Sequence, residues 1–171
     1  MKIHMVPHDL TWRQAFKQEA DQIAAALGSN VVAVHHIGST AIPTIYAKPI
    51  IDLLLVVQDL AALDEKQPMM ETLGYEALGE FGIPGRRYFR RDNESGDRTH
   101  QVHAFANGSP QTQRHLASRD YMLAHPDAAQ AYSALKRELA AQYPNDSESY
   151  MDGKDEFIRE IDRRAALQNR E

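Results

Sequence analysis

Cysteine is absent from this chain of 171 residues. That removes disulfides, thiolate nucleophiles and cysteine-ligated zinc or iron–sulfur centres, and it fits a reducing, cytoplasmic setting. Long apolar runs are also missing. The longest, Ile50 to Val57, is far too short to span a bilayer, so no membrane partner is expected. The amino-terminal stretch MKIHMVPHDLTW lacks an apolar segment, and no signal peptide is expected there. Positive charge is not in excess: the formal net charge is −5, which argues against DNA or RNA as a non-specific partner. No repeat or low-complexity tract occurs. At 43% hydrophobic residues and an ordinary charged fraction, the composition is that of one globular domain over residues 1–171.

What is present has a clear order. Trp12, Phe16, Ile23 and Leu27 recur at helical spacing, with Asp9 or Thr11 as a cap and Gly28 as a stop. Val31 to Ile37 is β-branched and reads as a strand. Ile50 to Val57 is apolar on both faces and reads as a central, doubly covered strand. Asp59 caps a helical stretch through Leu73 that Pro68 splits. Three further strands are expected at Tyr75–Phe81, Arg86–Arg91 and Thr99–Phe105, separated by GIPG and DNESGD turns. Three helices then follow, at Gln113–Ala124, Asp127–Gln142 and Asp152–Leu167. The expected fold is α/β or α+β: a mixed sheet of about five strands with flanking helices over 1–107, and a helical part over 110–168.

One acid inside an apolar strand is the main chemical signal. Asp52 lies between Ile51 and Leu53, and a carboxylate there is costly unless paired. It suits Mg²⁺ held between protein and phosphate, or an ion pair with Lys48 or an arginine. The preceding Gly38-Ser39-Thr40 turn follows a strand, so its backbone can approach an anion closely; equally, Ser39 or Thr40 can cap the next turn. Arg86, Arg87, Arg90, Arg91 and Arg98 crowd one segment. They form either a phosphate clamp or a solvated hairpin balanced by Asp92, Glu94 and Asp97. RNA contact through this segment is a weaker reading, against which overall acidity counts. His100 and His103 point to opposite faces of their strand, as do His35 and His36 of theirs. Arg119 can reach the cleft from a helix. Tyr132, Leu135, Leu139, Phe157, Ile158 and Ile161 read as core, and Lys154 as solvated.

With these segments in place, the chain resembles the GrpB family, which occurs as stand-alone bacterial proteins and as an extension of some dephospho-CoA kinases. The resemblance covers most of the chain. It is carried by HIGSTAIP (His36 to Pro43), AKPIIDLLLVV (Ala47 to Val57), GEFGIPGRRYF (Gly79 to Phe89), HQVHAF (His100 to Phe105), RDYM, YSALK and YMDGKDEFI. It implies a nucleotidyltransferase-like fold, in which a Gly-Ser turn binds phosphates and an Asp-x-Asp strand with a later acid holds divalent metals. Carried over, Gly38 and Ser39 match the turn and Asp52 the first carboxylate; Leu54 stands at the second position. The third ligand would be Glu80 or, alternatively, His103. The implied ligand is a nucleotide or another phosphorylated small molecule with a divalent cation, Mg²⁺ being expected. Gly38, Ser39, Thr40, Lys48, Arg87 and Arg119 would bind it, and Asp52, Ser39 and His36 would act in any nucleotidyl or phosphoryl transfer. The missing second acid implies the alternative of a catalytically inactive ligand-binding or accessory module. Kinase activity is not implied, since no Walker-A pattern occurs.

Overall fold

The computed structural model describes residues 4–168; Met1 to Ile3, part of the stretch read for a leader, lie outside them. Helix α1 spans Thr11–Leu27 and is followed by strand β1, Val31–Ile37. Asp9 accepts hydrogen bonds from the amide and hydroxyl of Thr11 at 2.8 and 2.7 Å. Gly28, at φ +68°, closes the helix. Strand β2, Ile51–Val57, leads into α2, Leu60–Glu65, and α3, Gln67–Thr72. The Asp59 carboxylate accepts from the Ala61 amide as the cap, and Pro68 opens the second helix, as the residues led one to expect.

Strands β3 (Glu76–Ala77), β4 (Arg87–Asp92) and β5 (Arg98–Ala106) complete one sheet in the order β1-β2-β5-β4-β3. The β2–β5 pair is parallel and the others are antiparallel. The strand expected at Tyr75–Phe81 shrinks to two residues. Gly79, Gly82 and Gly85 all have positive φ, and so does Phe81 at +47°; the backbone therefore leaves the sheet in a turn. Glu80 rides on that exposed turn, not on a strand.

Helices α4 (Pro110–Ala124), α5 (Pro126–Gln142) and α6 (Ser147–Gln168) follow. The third begins a turn earlier than expected because Asp146 accepts from the Ser149 amide and hydroxyl. Period-2 alternation divides the sheet's faces. Leu53, Leu55 and Val57 pack with Trp12, Ile23, Leu27, Leu63 and Met70 beneath α1–α3. Leu54 and Val56 pack with Ile37, Phe105 and Leu116 on the opposite face, toward α4. Strand β2 is thus covered on both sides. A third apolar cluster joins Ile42 and Ile45, from the β1–β2 connection, to Met122, Tyr132 and Ile161 of the helices. Among the described residues, no helix is long and apolar enough to cross a membrane.

Candidate functional site

Strand register brings Asp52 opposite Ile37, the last residue of β1, so its carboxylate meets the turn that follows. Gly38 adopts φ +74°, and a Cβ there would lie 2.6 Å from Asp52 Oδ2. Only glycine allows both the backbone conformation and the approach. Asp52 is not sealed in: its side chain is 24% exposed and lines a cavity of about 220 Å³. That cavity is bounded by Ser39, Thr40, Lys48, Lys136, Tyr150 and Lys154, among others.

Three ammonium groups therefore face one hollow. Lys136 is buried; it donates to Ser39 Oγ at 2.7 Å and to the Tyr46 carbonyl at 2.8 Å. Burial, with repulsion from Lys154 and Lys48, lowers its pKa from 10.5 to about 7. Burial lowers Lys48 and Lys154 too, against a raising influence from Asp52. Lys48 and Lys154 lie 4.6 and 5.2 Å from the centroid of the Tyr150 ring, and Lys136 is 4.7 Å from that of Tyr132. The expectation of a solvated Lys154 is corrected here: α6 turns it inward. A sequence signal for both missed lysines exists, since Tyr132–Lys136 and Tyr150–Lys154 are each a Tyr-x-x-x-Lys pair on one helix face.

The histidines have fixed work. Arg86 is buried; its guanidinium donates to the Glu80 and Phe81 carbonyls and approaches His103 Nδ1 at 3.3 Å. Arginine can only donate, so Nδ1 accepts and the ring proton sits on Nε2, aimed at Asp52 Oδ1 3.2 Å away. With both nitrogens engaged in this way, His103 orients the Asp52 carboxylate. His36 is likewise constrained. The Thr40 hydroxyl gives its proton to the Ile50 carbonyl, so it must accept from His36 Nε2 at 2.9 Å. Burial lowers the His36 pKa to about 4, and the neutral ring stacks on Phe16. His36 thus holds the turn through Thr40. Thr40 lines the cavity, but its hydroxyl proton is already committed.

Three other expected residues lie outside the Asp52 cavity. Glu80 Oε2 accepts from the Gly85 amide at 2.6 Å and closes its own turn. Arg87 forms a two-pronged pair with Asp64 at 2.8 and 3.1 Å. Arg119 pairs with Asp120, donates to the His36 carbonyl, and lines a separate cavity beside α4. Nor is there an arginine clamp: Arg90 pairs with Glu76, Arg91 with Glu19 and Arg98 with Asp92. The second carboxylate position, Leu54, is fully buried against Ile37, Val56 and Phe105.

Among the described residues, no group of three or more His, Asp or Glu side chains converges as a metal centre would. The donor set here is one carboxylate facing three ammonium groups. It does not fit a resident metal. One carboxylate can give a hard divalent cation a single protein ligand.

Comparison with known proteins agrees with the fold. Residues 2–164 match the family model described as GrpB protein. The chain is 41% identical over 164 residues to UPF0157 protein YqkA of Bacillus subtilis, covering 96% of this chain and 47% of that protein. It is 29% identical over 186 residues to a dephospho-CoA kinase of Mycolicibacterium paratuberculosis, covering 95% and 46%. The chain thus spans about half the length of each. The crystal structure of conserved protein GrpB from Enterococcus faecalis superposes with a TM-score of 0.92 at 38% identity, over 98% of this chain and all of that one. Terminal uridylyl transferase 4 from Trypanosoma brucei with bound dUTP superposes at 0.58 and 11% identity, over 96% and 56%, a likeness of nucleotidyltransferase-type fold alone.

Proposed function

The chain belongs to the GrpB family, and from that premise we propose that it binds a nucleotide or another phosphorylated small molecule in the Asp52 cavity, in a cytosolic setting. One observation carries the reading: Lys48, Lys136 and Lys154 surround a hollow next to a Gly-Ser turn. Three half-buried to buried ammonium groups repel one another, and each sits below its ordinary pKa. A polyanion relieves that repulsion and supplies the hydrogen-bond acceptors the ammonium groups need.

Each residue then has a role. Lys136 holds Ser39 Oγ in place and shares its charge with the phosphates. Lys48 and Lys154 neutralise from the side of Tyr150. Gly38 keeps the backbone low enough for the ligand to reach Asp52. Asp52, oriented by His103, would hold a Mg²⁺ ion carried in with the ligand; when bound, the ion neutralises phosphate charge and polarises a phosphoryl oxygen. Such parts are positional and electrostatic, which suits nucleotidyl or phosphoryl transfer. The buried Leu54 favours the second reading, a binding module without turnover.

Calorimetric titration with nucleoside triphosphates, with and without Mg²⁺, tests the proposal. Binding is expected, strengthened by Mg²⁺ in the native chain and not in Asp52→Asn. Absence of binding in both conditions overturns it. Release of pyrophosphate during incubation supports transfer; binding without release supports the module.

A further inference from the structure

A second cavity, about 230 Å³, lies across the Gly38–Ser39 turn from the first. Ser39 lines both. Its walls are Ile42, Met122, Tyr132, Ile158 and Ile161, from the connection after β1 and from α4, α5 and α6. Polar groups stand at one edge: Asp162 accepts from the Ser118 hydroxyl and from Arg114 Nη1. A carboxylate has about four acceptor sites, so these two bonds leave it room for another donor.

The two cavities are held in register by the helices themselves. On α5, Tyr132 lines the apolar cavity and Lys136, four residues on, lines the charged one. On α6, Ile158 lines the apolar cavity and Lys154, four residues earlier, the charged one. Tyr132 stacks on Phe157, and Gly153 faces Leu139, so the helices run antiparallel. Both therefore present ammonium groups at one level and apolar surface at the next, about 6 Å apart at 1.5 Å per residue. A pentose joining a ring to a phosphate chain spans a gap of that order.

Building on the anion-binding reading above, we infer that the cavity between α4, α5 and α6 takes the ring of the same ligand, a nucleobase-like heteroaromatic group, while its phosphates lie on the lysines one helical turn away. The apolar walls accept the ring faces. Asp162, Ser118 and Arg114 meet its polar edge, which an alkyl chain would leave unpartnered.

Displacement titrations against inorganic tripolyphosphate and against ATP, GTP, CTP and UTP test this on the native chain. At least one nucleotide is expected to bind ten-fold or more tightly than tripolyphosphate. Met122→Trp, which fills the cavity, and Ser118→Leu, which replaces its polar edge, are each expected to remove that difference while leaving tripolyphosphate affinity unchanged. If tripolyphosphate binds and all four nucleotides bind no better, the ring site is overturned and the phosphate reading stands. If a nucleotide binds better in the native chain and equally so in both variants with intact tripolyphosphate affinity, the ring lies elsewhere and the inference fails. If neither tripolyphosphate nor any nucleotide binds, the phosphate reading itself is wrong.

Discussion

Gly38 and Arg86 show how much of the site hangs on single residues. A methyl group at Gly38 meets Asp52 Oδ2 at 2.6 Å, with the backbone at φ +74°. Gly38→Ala is therefore expected to lower the melting temperature and to abolish nucleoside triphosphate binding, read by thermal denaturation and titration. Arg86 acts two bonds from the carboxylate. By donating to His103 Nδ1 it keeps the ring proton on Nε2, toward Asp52. Nitrogen-15 NMR of the native chain is expected to show His103 as the Nε2–H tautomer, and Arg86→Met to give a mixture of tautomers. An Nδ1–H ring in the native protein would contradict the chain of bonds. The Arg86–His103 contact was not legible beforehand. Arg86 and His103 are 17 positions apart, and β4–β5 pairing together with the glycine turn brings them together.

The elements divide between holding the sheet and presenting the site. Glu19 of α1 is buried, and Arg91 of β4 reaches it with bonds of 2.6 and 2.9 Å while the Tyr75 hydroxyl donates a third. Removing one partner of such a pair leaves the other uncompensated, so Glu19→Ala is expected to cost about 3–5 kcal/mol in chemical denaturation. Strand β2 gives a sharper case. Its residues at 52 and 54 face the same side, yet Asp52 opens to the cavity while Leu54 is sealed under Phe105. Leu54→Asp is thus expected to destabilise the fold by about 2–5 kcal/mol from lost packing alone, without creating metal-dependent turnover. Denaturation and a pyrophosphate-release assay check both halves. The strands, the Asp59 cap and the Pro68 break were visible in sequence because periodicity and turn chemistry are local. The Tyr75–Phe81 strand failed because three glycines in the following turn outweighed its aromatic ends.

Across the whole molecule, the lysine cluster links folding, pH and ligand. Lys136 loses its proton near pH 7 in the folded chain, against an ordinary value of 10.5. Between those values the unfolded chain binds more protons, so this group's contribution to stability rises as pH increases through that window and is least favourable below pH 7. A bound polyanion favours the ammonium form and reverses the balance. Tripolyphosphate binding at pH 8 is therefore expected to take up protons, seen as a dependence of the binding enthalpy on buffer ionisation, and to weaken as pH rises further. Lys136→Met is expected to abolish that proton uptake. The overall charge of −5 hid this site, because its positive groups come from residues 48, 136 and 154.

By itself the sequence determined the alternation that makes β2 a buried strand, the helix caps, the Gly-Ser turn beside an isolated acid, and the family resemblance. These are properties of neighbours along the chain, where spacing of two or of three to four residues reports a face. Only the tertiary structure decided which cations meet that acid. The arginines, crowded in sequence, disperse to Asp64, Glu76, Glu19 and Asp92. Three lysines, far apart in sequence, converge because the α5–α6 hairpin packs against the β1–β2 connection. Charge acts through space, and at separations of about a hundred residues sequence order carries no record of which groups will meet.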